Sequence, residues 1–375
     1  MHGHGACDLL PRIRKGDRNM ASSEKAAGNS TRGGIALSDG AASDARNVRF
    51  PPRPNPSFTF IDLFAGIGGF RLAMQDCGGR CVFSSEWNAD AQRTYAHNFG
   101  ETPAGDITLE STKESIPRGF DVLCAGFPCQ AFSVAGRRMG FEDVRGTLFF
   151  DVAKILEMRR PRAFFLENVK NLRTHDRGRT FAKIMETLEA RLGYRTFAKV
   201  MSPDEYADIP QNRERIFIVG FDPAAVSTAA MGRFAFPPPI PLRRTVRDCL
   251  DPSVSDPQFF YTPRYGCYEA VAAQVVRTDT VYQWRRQYVR ENKSGVCPTL
   301  TANMGAGGHN VPLVRVDGGV RRLTPRECLN FQGFPAGYEF PKLSSAKCYM
   351  QAGNSVAVPL VGRVAKRIAE VLDVP

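Results

Sequence analysis

From Phe58 onward, short apolar runs alternate with stretches whose apolar residues recur every three or four positions. The runs "FTFIDLF", "CVFSSEW", "FDVLCAG", "RAFFLENV", "YRTFAKVM" and "RIFIVGF" have strand length and carry many aromatic and β-branched residues. Between them, "FRLAMQDC", "ADAQRTYAHNF", "TLFFDVAKILEM" and "TFAKIMETLEARL" show helical spacing. The strand runs are apolar at successive positions, as in strands covered on both faces. The pattern predicts an α/β fold built on a doubly wound, Rossmann-like parallel sheet with helices on both sides.

After Gly220 the alternation stops, and Pro-Pro-Pro-Ile-Pro at 237–241 makes a stiff break. Residues 242–350 show few helical patterns and many Arg, Gly, Thr and Tyr, which predicts a smaller, irregular, β-leaning domain. Residues 351–375 hold an amphipathic stretch, "VAVPLVGRVAKRIAEVL", expected to return to the first domain at 58–241. Residues 1–57 have almost no apolar periodicity before "PPRPNP". Too little apolar surface is available there to offset ordering entropy, so this segment is expected to be disordered.

Composition narrows the class. No apolar run approaches the ~20 residues that span a bilayer, and the first residues lack the apolar stretch of a signal peptide, so a soluble intracellular protein is expected. Ten cysteines at irregular spacing in a chain of 375 residues argue for reduced thiols. Neither Cys77/Cys81 nor Cys124/Cys129 has zinc-site spacing, and no metal is expected; His2 and His4 would bind one only adventitiously. A net charge of +12 favours a polyanionic partner, although solubility alone would account for it.

The candidate chemistry gathers where strands are expected to end. Gly66-Ile67-Gly68-Gly69 follows the first strand and opens a helix, a turn that lets a ligand approach the backbone. It is not GxGxxG, and taken alone it would be a weak signal. Glu86 ends the next strand, where an acid can bind ribose hydroxyls; Trp87 could stack on a purine, and Asp106-Ile107 could close over the same ring. Otherwise Glu86 is a capping acid and Trp87 is core. Together these residues favour an adenosyl ligand.

Cys129 lies beyond the third strand, and Cys124 within that strand reads as core. A nucleophilic thiol needs electropositive surroundings, since a free one has a pKa near ~8.5. "GRRMGFEDVRG", with Gly136, Gly140 and Gly146, is a basic, lid-like loop beside it. Glu167 ends the following strand among apolar neighbours that would raise its pKa, and Arg213 and Arg215 precede the last strand. A surface role for each is the plain alternative, but their convergence on one rim argues for a site.

These pieces resemble a known family. "FIDLFAGIGGFRLA", "GFPCQAFS", "ENVKNL", "QNRERIFIVGF", "RRLTPRECLNFQGFP" and "QAGNSVAVPLV" occur in the order seen in bacterial DNA cytosine-5 methyltransferases of restriction-modification systems. The resemblance runs from Phe58 to the C-terminus. It implies a methyltransferase fold with S-adenosyl-L-methionine as cofactor, held by Phe64, Gly66, Gly68, Glu86, Trp87, Asp106, Ile107, Pro128, Asn354 and Ser355. It makes Cys129 the nucleophile that adds to C6 of a flipped-out cytosine. Glu167 would sit at N3, Arg215 at O2, and Arg213 would orient the acid.

Double-stranded DNA is the expected partner of the 242–350 domain. "RTDTVYQWRRQYVRENK" at 277–293 carries net +3, interleaved with Tyr282, Trp284 and Tyr288. A solvated charged face is the alternative. The expected DNA contacts are Gln130, Ser133, Arg285, Arg286, Arg290 and Thr299. A cognate restriction endonuclease acting on the same site is a candidate partner, no membrane is involved, and a monomer in the bacterial cytoplasm, held at the nucleoid through DNA, is expected. A relative acting on RNA and a non-catalytic DNA-binding protein are the competing readings.

Overall fold

The structure is a computed structural model, and it describes residues 48–128, 148–285, 287–305 and 311–372. Among the described residues, seven strands precede Asp222: β1 (Phe58–Leu63), β2 (Gly79–Ser85), β3 (Val122–Gly126), β4 (Ala163–Val169), β5 (Arg195–Met201), the two-residue β6 (Gln211–Asn212) and β7 (Arg215–Phe221). Six of them form one sheet in the order β2-β1-β3-β4-β7-β5. The order reverses at β1, so this is a doubly wound sheet with its crevice beside that strand.

The expectation of an all-parallel sheet needs correction. β1 to β4 run parallel, but β7 is antiparallel to both β4 and β5. The cause lies in the connection. A parallel crossover needs a helix long enough to cover a sheet face, and the segment from β5 to β7 offers only the single turn Pro203–Tyr206. β7 therefore returns beside β5, with Met201 opposite Arg215.

Both faces are covered. Phe58, Phe60, Cys124, Phe165, Phe217 and Val219 point to one face and pack under helices Gly69–Asp76 and Val358–Val371. Ile61, Leu63, Leu123, Phe164, Leu166 and Ile218 point to the other, under helices Leu148–Arg159 and Arg179–Glu186. Truncating a side chain as deeply buried as Leu166 to alanine would cost about 2–5 kcal/mol.

The later strands are β8 (Tyr282–Trp284), β9 (Val289–Glu291), β10 (Cys297–Pro298), β11 (Leu313–Val316) and β12 (Gly319–Arg322). β12-β11-β8-β9 form a second sheet, and β10 pairs in parallel with β6. Tyr282 and Trp284 are buried in this sheet's own apolar cluster with Val271 and Leu313. Of the three aromatics interleaved with the charges at 277–293, these two are core and Tyr288 is 56% exposed.

Two boundaries differ from expectation. The break placed at 350 falls inside the unbroken helix Ser345–Asn354. Phe331, Phe334, Tyr338 and Tyr349 share a core with Ile67, Tyr95 and Phe99 of the first half, so the chain is already back on the main sheet's flank before that helix. At the other end, residues 48–57 are placed against the body of the protein. Phe50 stacks on Tyr338 at 5.8 Å between ring centroids, its N–H donates to Asn98 O, and the Arg53 guanidinium donates to Gln75 O. One aromatic ring and a few backbone bonds suffice to order "FPPRPNP". The expectations for residues 1–47 lie outside the described residues.

Candidate functional site

Register brings the parallel strands to a common edge. Leu63 is level with Ser85 on β2 and Ala125 on β3, and Gly126 is level with Glu167 on β4. The loops that leave this edge carry the candidate residues. Because β7 is antiparallel, it begins where its neighbours end, which places Arg215 at the same rim.

The glycine turn follows β1. Phe64 adopts φ 54°, Gly66 φ 56° and Gly68 φ 81°, a left-handed run that reverses the chain into helix Gly69–Asp76. A Cβ on Gly68 would stand 2.3 Å from the Phe99 ring, so only glycine fits beneath helix Ala89–Phe99. The Tyr338 hydroxyl donates to Ile67 O and holds the turn from the C-terminal side.

Glu86 closes the turn from β2. Its Oε2 accepts the Gly66 N–H at 2.8 Å and its Oε1 accepts the Asn88 N–H at 2.8 Å. Burial raises its pKa, opposed by the backbone N–H groups of Asn88, Gly66 and Trp87. Asn88 in turn caps helix Ala89–Phe99 by accepting from Asp90 and Ala91. Trp87 is not core: it is 75% exposed beside this carboxylate.

The Asp106 segment docks alongside, since Glu86 N–H donates to Ala104 O and the Ser85 hydroxyl donates to Gly105 O. Asp106 Oδ1 accepts the Thr108 N–H, and Ile107 is buried below. Ser355 comes from the far end of the chain, with its Oγ 3.0 Å from where a Cβ on Gly69 would lie; Asn354 beside it is exposed. Thus Phe64, Gly66, Gly68, Glu86, Asp106, Ile107 and Ser355 lie on or beside the glycine turn and the loops next to it, with Trp87 exposed beside Glu86.

Glu167 and Arg215 form the second group. Glu167 lies opposite Phe217 across the β4–β7 pair, so Arg215 is its diagonal neighbour on the same face. Arg215 Nε is 2.9 Å from Glu167 Oε1, and both side chains are largely buried. This guanidinium, not that of Arg213, holds the carboxylate. Arg213 donates instead to the carbonyls of Leu300, Gly353 and Ser355. Burial, with the charge of Arg215 adding to it, lowers the Arg213 pKa to about 9.

Asn168, within "ENV", has a role that its place in the sequence does not reveal. Its Nδ2 donates to Phe127 O at 2.8 Å, tying β4 to the residue before Pro128. Cys129, Gln130, Ser133, Arg286 and the loop with Gly136, Gly140 and Gly146 lie outside the described residues. Cys124 is fully buried and its thiol is pushed well above the ordinary range, which leaves it inert. A second unforeseen group is Asp62, entirely buried on β1. Burial raises its pKa to about 8, the Arg71 guanidinium opposes this, and Glu86 adds to it. Among the described residues no cluster of three or more His, Cys, Asp or Glu could hold a metal, and no helix is long and apolar enough to cross a membrane.

The DNA candidates fall into two places. Arg285 and Arg290 are exposed on the β8–β9 hairpin, where the Arg285 guanidinium donates to the Gln283 side-chain oxygen. Thr299 sits apart from them, and its hydroxyl donates to Asn212 O, one residue before Arg213.

Residues 58–370 match the C-5 cytosine-specific DNA methylase family. The Type II methyltransferase M.Bsp6I of Bacillus sp. (strain RFL6) is 47% identical over 310 residues, covering 82% of this chain and 96% of that protein. M.HpaII of Haemophilus parainfluenzae, also a Type II methyltransferase, is 42% identical over 352 residues, covering 86% and 93%. The crystal structure of the S. pombe Dnmt2 methyltransferase has the same fold, with a TM-score of 0.62 at 17% identity, covering 84% of this chain and 98% of that one.

Proposed function

The chain belongs to the C-5 cytosine-specific DNA methylase family and methylates cytosine in DNA; on that premise we propose that it acts on a cytosine flipped out of one short duplex sequence, through a covalent bond from Cys129 to C6. The observation that carries this reading is the Arg215–Glu167 pair at the rim where Asn168 anchors Phe127, two residues before Cys129.

S-adenosylmethionine would be held by the glycine turn, Glu86, Trp87, Asp106, Ile107 and Ser355, with Phe64, Pro128 and Asn354 beside them, and it supplies an electrophilic methyl group. Cytosine C5 is too weak a nucleophile to take that methyl unaided. Addition of the Cys129 thiolate to C6 makes C5 enamine-like and divides one hard step into easier ones. Glu167 as the acid donates a proton at N3, offsetting charge on the ring, and Arg215 turns from the carboxylate towards O2. A base then takes the C5 proton, the C6–S bond breaks, which returns the thiolate, and N3 gives its proton back to Glu167. Flipping the base costs a few kcal/mol, roughly, which contacts to the flanking DNA must offset.

Residues 242–350 would read the target through Arg285, Arg286, Arg290 and Thr299, with Gln130 and Ser133 meeting the DNA beside the cysteine. The match to Type II methyltransferases supports a restriction-modification role; a cognate endonuclease acting on the same site, a monomeric state and a place at the bacterial nucleoid are parts of the proposal that this match does not reach. Bisulfite sequencing of DNA from cells expressing the protein tests the proposal. Methylation confined to one short sequence, and absent with Cys129→Ser, is expected; DNA without 5-methylcytosine would overturn it.

A further inference from the structure

Three segments that are far apart in the chain meet around one buried guanidinium. Arg213 Nη1 donates to Leu300 O at 2.7 Å, and Nη2 donates to Gly353 O at 3.0 Å and Ser355 O at 2.5 Å. Gln211 works beside it: its Oε1 accepts the Leu300 N–H, and its Nε2 donates to Phe331 O and to the Gln332 side chain. Gln332 continues to Ala352 O. The backbones also touch directly, because a Cβ on Gly353 would stand 2.2 Å from the Thr301 carbonyl and 2.7 Å from Ala302 N. On the outer side, the Thr299 hydroxyl donates to Asn212 O.

The carbonyls that Arg213 holds belong to two functional surfaces. Gly353 and Ser355 flank the turn assigned to the cofactor, and Leu300 follows the DNA-side Thr299. Neither set is solvated, so any movement of one turn must break a charge-assisted bond at the shared guanidinium or carry the other turn with it. We propose that Arg213 is a positioning residue that couples occupancy of the cofactor turn Gly353–Ser355 to the placement of the DNA-side segment Thr299–Ala302. This rests on the reading of the two surfaces given above, and it assigns Arg213 a role other than orienting Glu167.

The test uses S-adenosylhomocysteine and a duplex carrying the methylated site. Its affinity is measured with and without the duplex, and the duplex affinity with and without it, in the wild type and in Arg213→Lys. A single ammonium on a flexible stem replaces a planar fork whose two nitrogens are fixed on different turns, so each turn can still be bonded but the rigid link between them is lost. The wild type should show mutual enhancement of about fivefold or more, equal in both directions as linkage requires. Arg213→Lys should bind each ligand alone within a few-fold of wild type and bring the coupling factor to about 1. A merely structural role would lower the melting temperature and leave the coupling factor of the folded protein unchanged, which would overturn the proposal.

Hydrogen exchange on the wild type decides the matter even if that variant does not fold. S-adenosylhomocysteine alone should slow exchange of the amides at Leu300–Ala302 as well as those of the turn at Gly66–Gly68. Protection of the glycine turn without any change at Leu300–Ala302 would refute the coupling. Protection at neither place would remove the cofactor reading itself, and the coupling with it.

Discussion

Arg215 Nε and Glu167 Oε1 stand 2.9 Å apart on adjacent antiparallel strands, both shielded from solvent. The pair exists because β7 begins at the edge where β4 ends. It predicts a specific kinetic pattern. Glu167→Gln keeps the size and removes the acid, so kcat should fall by about 10²–10⁴ while the cofactor KM changes little. Arg215→Ala should lower kcat by roughly 10² or more. Single-turnover methyl transfer measures both, and near-normal rates in Glu167→Gln would remove the carboxyl from the mechanism.

Glu86 should separate from this pattern. Its carboxylate holds the Gly66 N–H, so Glu86→Ala leaves the glycine turn without its anchor. Loss of a hydrogen bond to a charged group is worth ~1.5–3 kcal/mol, or about 10–100-fold in cofactor affinity. Titration with S-adenosylhomocysteine, followed by calorimetry, checks this. Unchanged affinity would mean that the turn keeps its shape without the acid.

Asp62 predicts a pH dependence with a definite sign. Its carboxyl has an ordinary value of 3.8 and a folded value near 8, set chiefly by burial on β1 among Arg71, Glu86, Cys81, Tyr95 and Cys124. Between those values the folded state keeps a proton that the unfolded chain has released. Asp62 therefore lowers stability progressively as pH rises from about 4 to about 8, by up to ~1.4 kcal/mol per pH unit. Asp62→Asn should flatten that slope and gain relative to wild type at pH 8. Urea unfolding at pH 5.5 and pH 8 measures it, and parallel slopes would contradict the assignment.

The β8–β9 hairpin predicts a division between folding and binding. Trp284 is 6% exposed and Tyr282 1%, so Trp284→Ala should destabilise the sheet by about 3–5 kcal/mol. Arg285→Ala and Arg290→Ala should leave the melting temperature nearly unchanged. An arginine that binds phosphate, once removed, weakens binding to all sequences alike and flattens the salt slope; one that reads guanine relaxes a single position by roughly 1–3 kcal/mol. Binding to site variants at several salt concentrations distinguishes these. No effect of either substitution would leave the hairpin a solvated face.

The family and the alternation of strands and helices are legible in the sequence, because buried strands are short apolar runs and the glycine turn, Pro-Cys and Glu-Asn-Val stand at their ends. The direction of β7 is not legible: "RIFIVGF" is buried on both faces whichever way it runs. The roles of the two arginines are hidden for a related reason. Arg215 lies in the ladder diagonal to Glu167, whereas Arg213 precedes the strand and meets carbonyls contributed by residues up to 142 positions away. Trp284 and Tyr282 share one face of a short strand with an apolar cluster that the charged residues around them conceal in the sequence. Residues 48–57 owe their placement to the Phe50 ring and to scattered bonds such as those of Arg53 and the Phe50 N–H, a signal too small to stand out in composition.

The covalent step at Cys129 is the centre of the account, and trapping tests it most directly. In DNA whose target cytosine carries fluorine at C5, the addition and methyl transfer can proceed, but the fluorine cannot leave as a proton does, so the Cys129–C6 bond persists. Incubated with S-adenosylmethionine and such a duplex, the protein should run as a covalent DNA complex on a denaturing gel, with the adduct mapped to Cys129 by mass spectrometry. Cys129→Ser should give none, and Cys124→Ser should still be trapped. Active protein that methylates ordinary DNA yet leaves no adduct on the fluorinated site would contradict attack by Cys129.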